Sequence, residues 1–270
     1  MKKLSIHHFI FVISGAILMS GCYKLQKDYQ YQPSVLDPHI NMSAKDYLLL
    51  RGTNGANNDT VFKWMQLGIE YAGIDLSEYE KPNRTYIFLH NNAIRTVSSG
   101  NVSSGFFYDY PAVVKDSTGS PIKSKLNPSL DSMKAANSWS DYPKELVKNY
   151  FLYLILQGDY GFENLSVNNT SIQTLLPPGT VASVHDSRLG WVVTRTTPNP
   201  DAASAANINF SSTGGSGFDP EGKINLKLVN NQNAPINVND RADDRSAGYF
   251  ATNGQIHVYD KTIHPFRYSY

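Results

Sequence analysis

One cysteine in 270 residues constrains this chain more than any other feature. Cys22 has no second cysteine in the chain to pair with, so no internal disulfide can staple the fold. A domain of an oxidising compartment that lacks disulfides must stand on its hydrophobic core alone. The composition suits that demand, with 41% hydrophobic and 12% aromatic residues. The stretch from Ile40 to Tyr268 is long enough to bury such a core and lies near the upper end for one ordinary domain.

The position of the cysteine carries a second message. Lys2 and Lys3 open the chain, an apolar run follows from Phe9 to Met19, and the run ends in Leu18-Met19-Ser20-Gly21-Cys22. That is the layout of a signal peptide, with small residues before the scissile bond. The run is shorter than the roughly 20 apolar residues that span a bilayer. The motif resembles the lipobox of bacterial lipoproteins, with Met19 where leucine is usual. The resemblance implies a signal peptide over residues 1–21 and a mature chain starting at an acylated Cys22. A thioether lipid and an acylated amine together anchor a protein stably, since one chain alone does not. Residues 22–39 are polar and tyrosine-rich and read as a tether. Within it, Gln26-Lys27-Asp28 resembles the surface-export signal of Bacteroidetes lipoproteins, which implies an outer-membrane, cell-surface location. Loss of Lys2 and Lys3 from the 24 basic residues leaves 22 against 23 acidic ones, a net charge near −1. Nucleic acid is therefore not an expected partner, because phosphate neutralisation needs a basic patch.

Periodicity sketches the domain. Val61, Phe62, Met65, Ile69 and Ala72 form a helical stripe over about Thr60–Ala72, with Asp59 as N-cap and Gly73 at the left-handed end. Thr85–Leu89 is a β-branched and aromatic run, a buried strand punctuated by His90-Asn91-Asn92, and Ala93-Ile94 opens another helix. A further helix is predicted from Pro143 to Leu156, ended by Gly158. Trp191–Thr194 and Ile224–Leu228 read as strands, and Pro198–Gly222 as a long loop or a frayed surface hairpin. Tyr249–Thr252 and Gln255–Tyr259 flank Asn253-Gly254, a strong hairpin signal because both residues accept positive φ. Helices first and strands later predict an α+β domain rather than a βαβ array.

Three of these segments resemble a known family. Ala251-Thr252-Asn253-Gly254-Gln255-Ile256-His257-Val258-Tyr259-Asp260-Lys261 is similar to the C-terminal conserved box of fasciclin (FAS1) domains. Thr85 to Ile94 resembles the first box, with Phe88, Asn91 and Ala93 at matching places. Tyr153 to Tyr160 resembles the central tyrosine–histidine motif, except that Leu154 replaces the histidine. The three occur in family order and cover most of residues 42–266. The resemblance implies a fasciclin-like domain over 40–268, a twisted β wedge packed with helices, and adhesion or ligand binding rather than catalysis. It also marks residues 98–142 and 194–222 as two surface insertions into a shorter core. Insertions on a rigid scaffold are where recognition is usually grafted.

Candidate site residues follow. His257 belongs to the family's conserved strand, which implies a structural imidazole whose hydrogen bonds come from Tyr153, a backbone group or water. Asp240, Asp243 and Asp244 lie near Asn237 and Asn239, but Arg241 and Arg245 interleave them, so a solvated ion-pair cluster is expected rather than a calcium loop. No catalytic residue, cofactor or metal is expected. The candidate binding surface is aromatic: Phe106, Phe107, Tyr108 and Tyr110 in the first insertion, followed by Trp139 and Tyr142. The competing reading is that these rings pack the insertion onto the core. The function expected is a non-enzymatic surface lipoprotein that mediates adhesion or binds a protein or glycan, an accessory to an outer-membrane nutrient-uptake complex being one form of it. The other open class is a hydrolytic enzyme whose site is assembled from residues distant in sequence.

Overall fold

The apolar run over Thr85–Leu89 is the centre of the main sheet. In this computed structural model the strand spans Arg84–Leu89 (β1), and its residues from Thr85 onward are fully buried. The structure describes residues 37–55, 58–123, 128, 131–180, 191–195, 208–212, 222–230, 235–240 and 242–265. The segment expected to be a signal peptide (residues 1–21), Cys22 and most of the expected tether lie outside them.

Seven further strands complete two four-stranded sheets. They are Ile155–Gln157 (β2), Thr170–Gln173 (β3), Lys223–Leu228 (β4), Ile236–Val238 (β5), Ala242–Asp243 (β6), Ser246–Ala251 (β7) and Gly254–Tyr259 (β8). The main sheet runs β7-β8-β1-β2 and the second β6-β5-β4-β3. β1 and β8 are parallel, in register from Arg84 opposite Gly254 to Leu89 opposite Tyr259; the other pairs in both sheets are antiparallel. The sheets adjoin where Leu156 bridges Thr174 and the Leu175 N–H donates to the Ile155 carbonyl at 2.8 Å. Five α-helices among the described residues accompany them: Ala44–Leu50 (α1), Lys63–Ala72 (α2), Asn91–Ile94 (α3), Phe106–Asp109 (α4) and Lys144–Tyr153 (α5). The architecture is a mixed α+β arrangement around one continuous hydrophobic core.

Three expectations about these elements need correction. α2 starts at Lys63, not Thr60, because Asp59 does not cap it. The Asp59 carboxylate instead accepts from Arg51 Nε at 2.7 Å. Asn91 holds the helix start from outside: its Oδ1 accepts the Trp64 N–H at 3.1 Å and its Nδ2 donates to the Thr60 carbonyl at 2.7 Å. The other end of α2 follows the sequence. Gly73 has φ 69°, and the Ile74 N–H closes on the Ile69 carbonyl at 3.2 Å.

The helix predicted to Leu156 stops at Tyr153. Ile155 and Leu156 pair with Tyr86 and Thr85 as strand β2, so sheet pairing overrides a helical pattern there. The β7–β8 turn also differs. Ala251 pairs with Gly254, which makes Thr252 and Asn253 the turn residues, and Asn253 keeps a negative φ. Its side chain pins the turn: Oδ1 accepts the Ala44 N–H at 2.9 Å, and Nδ2 donates to the Tyr79 carbonyl at 2.9 Å and to Tyr86 Oη at 3.1 Å. Gly254, the first residue of β8, keeps the expected positive φ, at 157°, and is required for a second reason as well. A Cβ there would run into the Arg84 carbonyl of the neighbouring strand.

Of the predicted insertion over 194–222, residues 208–212 form a strand paired antiparallel with Trp191–Arg195, and most of the rest lies outside the described residues.

Candidate functional site

The aromatic residues proposed as a binding surface are in the core. Phe107 is fully buried, and Phe106, Tyr110, Trp139 and Tyr142 are no more than 4% exposed; only Tyr108 is half-buried. Phe106 packs on Tyr150 with ring centroids 4.5 Å apart, and Trp139 meets Phe151 at 5.1 Å, so the rings face α5. Their polar ends are satisfied inside. Trp139 Nε1 donates to the Trp64 carbonyl at 2.7 Å, and Tyr110 Oη meets His264 Nδ1 at 2.8 Å. Gly68 makes room for them on α2, since a Cβ at that position would strike the Phe151 and Trp139 rings. These side chains are therefore packing, because burial on the helices gains more than exposing large rings to water. What projects from the segment 98–142 is its middle, a ribbon closed by bridges of Lys115 with Pro121 and Lys123 with Asp131. Its residues from Asp116 to Lys123 are exposed.

His257 is fully buried in β8 and satisfied by backbone on both nitrogens. Nδ1 accepts the Gly248 N–H at 3.0 Å, which leaves Nε2 to donate to the Tyr160 carbonyl at 2.7 Å. The ring thereby spans the irregularity in β7 between Ser246 and Tyr249. Burial lowers its pKa to about 4, against the opposing pull of the Tyr160 carbonyl. Leu154, where the resembled motif has histidine, is buried as an apolar residue, and the Tyr153 hydroxyl accepts from Asn239 Nδ2 at 2.8 Å instead.

The acidic cluster is dispersed. Asp240 pairs with Lys227 and accepts from Asn169 Nδ2, Asp243 accepts from Asn237 Nδ2 at 2.9 Å, and Asp244 accepts the Ile236 N–H at 2.5 Å. Burial raises the Asp244 carboxyl to about 6. Among the described residues no three His, Cys, Asp or Glu side chains are grouped as a metal ion would need. No helix among them is long and apolar enough to cross a membrane.

The site the sequence did not signal is a cavity of about 160 Å³ beside β1, β7 and β8. Its polar wall is Tyr47, Arg51, His90, Arg245, Ser246 and Tyr249, over an apolar floor that includes Phe62 and Val258. Arg51 follows the last turn of α1, where its guanidinium lies over the rings of Tyr47 and Phe62, 5.6 and 5.4 Å from their centroids. It donates from Nε to Asp59 and from Nη1 to Tyr47 Oη at 2.8 Å. His90 leaves β1 as the cap of α3. Its Nδ1 accepts the Asn92 N–H at 3.1 Å, so the remaining polar group of the ring is Nε2–H. Burial, with the positive charge of Arg245 next, lowers the His90 pKa and favours the neutral ring. Arg245 precedes β7, anchored by its N–H to the Val258 carbonyl at 2.7 Å, and its Nη1 lies 3.6 Å from Asp260 Oδ2.

Two arginines, a histidine and three hydroxyl-bearing residues thus line one small cavity. The carboxylates that balance the arginines, Asp59 and Asp260, are not part of its wall. The three cation-bearing or imidazole residues come from positions 51, 90 and 245, and only the parallel β1–β8 pairing with α1 folded over it unites them. A second, more open cleft of about 390 Å³ lies near Gly73, Lys81, Arg84 and Lys148, but there Glu78 pairs with Lys81 at 2.6 Å and Asp75 accepts the Ser77 N–H.

No protein-family model matches the chain, and a search of curated proteins finds no match.

Proposed function

We propose that this protein is a lipid-anchored binding module of the outer-membrane surface, built on a fasciclin-like domain and carrying out adhesion or ligand capture rather than catalysis. The observation that supports it most is the pairing of β1 with β8. These are the two segments similar to the first and last fasciclin boxes, and they run side by side through the centre of the molecule. The residues the resemblance singles out have structural work there: Asn91 holds the start of α2 and His257 ties β7 to β8. Polar residues of the resembled boxes that serve the scaffold leave function to a separate surface, and the cavity walled by Arg51, His90 and Arg245 is a polar site of that kind. The ligand is a protein or glycan of the surroundings, and the membrane is reached through lipid at Cys22.

The test uses cells that produce the full chain. Protease added to intact cells should remove the protein, and a pull-down from native outer membranes should return a saturable partner. Protection from protease on intact cells would overturn the surface location. Turnover of a glycoside or peptide by the purified full chain would overturn the binding reading.

A further inference from the structure

We propose that the cavity walled by Arg51, His90 and Arg245 is a receptor for one small oxyanion, a carboxylate, sulfate or phosphate group borne by the ligand. This rests on the reading of the protein as a binding module and names the chemistry that module recognises. Three features carry it. The first is donor content. Arg51 spends its Nε on Asp59 and one Nη1 bond on Tyr47, which leaves further N–H groups of a five-donor fork unassigned. Arg245 has no direct hydrogen bond to Asp260, since 3.6 Å exceeds hydrogen-bond distance. His90 accepts the Asn92 N–H at Nδ1, so its Nε2 is a donor.

The second feature is where the balancing charges sit. Asp59 and Asp260 neutralise the arginines from outside the wall, so the cavity itself presents donors and hydroxyls. Guanidinium forks held in place bind carboxylate and phosphate-type groups in two-point fashion at less entropic cost than free side chains. Arg51 is held by two hydrogen bonds and two ring faces, as such a site needs. The third feature is size. About 160 Å³ admits a single anionic group and not a stretch of polymer, so the rest of any ligand must remain outside. Tyr249, half-buried at the wall, offers a ring to what remains outside.

The experiment titrates sodium acetate, glucuronate, sulfate and phosphate into the full chain in detergent at constant ionic strength. The His90 imidazole and arginine side-chain resonances report binding. At least one probe should saturate, and Arg245→Gln should weaken it by roughly tenfold, the loss expected for one charge-assisted donor pair. Arg245 is exposed, so the variant should melt as the wild type does; His90→Gln, which removes the imidazole donor, serves as a second variant if it does not. Saturation by acetate and glucuronate alone assigns a carboxylate, and saturation by sulfate or phosphate alone assigns a tetrahedral ester. No saturable response to any probe, or wild-type affinity in both variants, overturns the oxyanion receptor. That outcome with an intact pull-down removes the ligand class and leaves the binding module standing, whereas a failed pull-down with saturable oxyanion binding removes the module and leaves the receptor.

Discussion

His257 stabilises the fold only while it is neutral. Its ordinary pKa of 6.5 falls to about 4 in the folded protein, where Nδ1 must stay free to accept the Gly248 N–H. Above pH 6.5 both states are neutral and the stability is complete. As pH falls, the unfolded chain takes a proton that the folded chain refuses, and stability drains until about pH 4. The gap corresponds to about 3 kcal/mol. Asp244, raised to about 6, contributes in the opposite sense over the same range, so the loss is read as a difference: between about pH 7.5 and about pH 4.5 the wild type should lose more stability in urea unfolding than His257→Leu. The variant itself should lose about 2–5 kcal/mol at neutral pH, because two buried backbone groups lose their partner. Equal pH dependence in both proteins would show that another group titrates. Glycines give a second test at this scale. Gly→Ala inside a helix normally stabilises by about 1 kcal/mol. Gly68→Ala should instead destabilise by about 1–3 kcal/mol, since its Cβ meets the Phe151 and Trp139 rings. Gly254→Ala should cost about as much or more against the Arg84 carbonyl, which cannot move without breaking β1. Thermal melts of the two variants decide both.

At the scale of elements, the segment between α3 and α5 has two parts with opposite roles. Its ends supply Phe106, Phe107, Trp139 and Tyr142 to the core against α5, while its middle is the exposed ribbon. Replacing residues 115–131 with a short Gly/Ser turn should leave the melting temperature within a few degrees, since loop closure changes slowly with length. Replacing Gly105–Tyr142 should abolish cooperative unfolding. Each buried aromatic lost costs about 3–5 kcal/mol, against a total stability of only about 5–15 kcal/mol. Circular dichroism melts of both deletions separate the two roles, and a stable Gly105–Tyr142 deletion would refute the core assignment. Boundaries show the same division. Gly73 announces the end of α2 because a left-handed residue is a local requirement. The start of α2 is not announced, because the group that satisfies its first turn is Asn91 from another element. Ile155 and Leu156 look helical in sequence, and only the vacant edge of β1 makes them a strand.

For the whole molecule, the lone cysteine remains the decisive feature. Cys22 precedes every described element, so Cys22→Ser should release the protein from washed membranes without altering its melting temperature. Membrane fractionation with a melt of the soluble form checks both halves. A variant still retained in the membrane would remove the lipid anchor from the proposal. A lower melting temperature would show that the N-terminal segment contributes to the fold beyond its edge pairing. That pairing is visible at Ile40, whose N–H donates to the Phe250 carbonyl at 3.0 Å along the outer side of β7.

The sequence by itself determined the features that short-range physics controls. These are the apolar strand at Thr85–Leu89, the helical stripe and left-handed end of α2, the strand at Ile224–Leu228 and the hairpin near Asn253. Each depends on residues within one or two turns of the chain, so the residues state it directly. Tertiary structure alone decided which large rings face solvent and which polar groups converge. Phe106 and Trp139 can be read as a surface or as a core until α2 and α5 close over them. Arg51, His90 and Arg245 lie far apart in the chain, and no local pattern predicts that a parallel strand pair will gather them. Burial and cavity chemistry are properties of the packed whole, in which distant segments exclude water from one another.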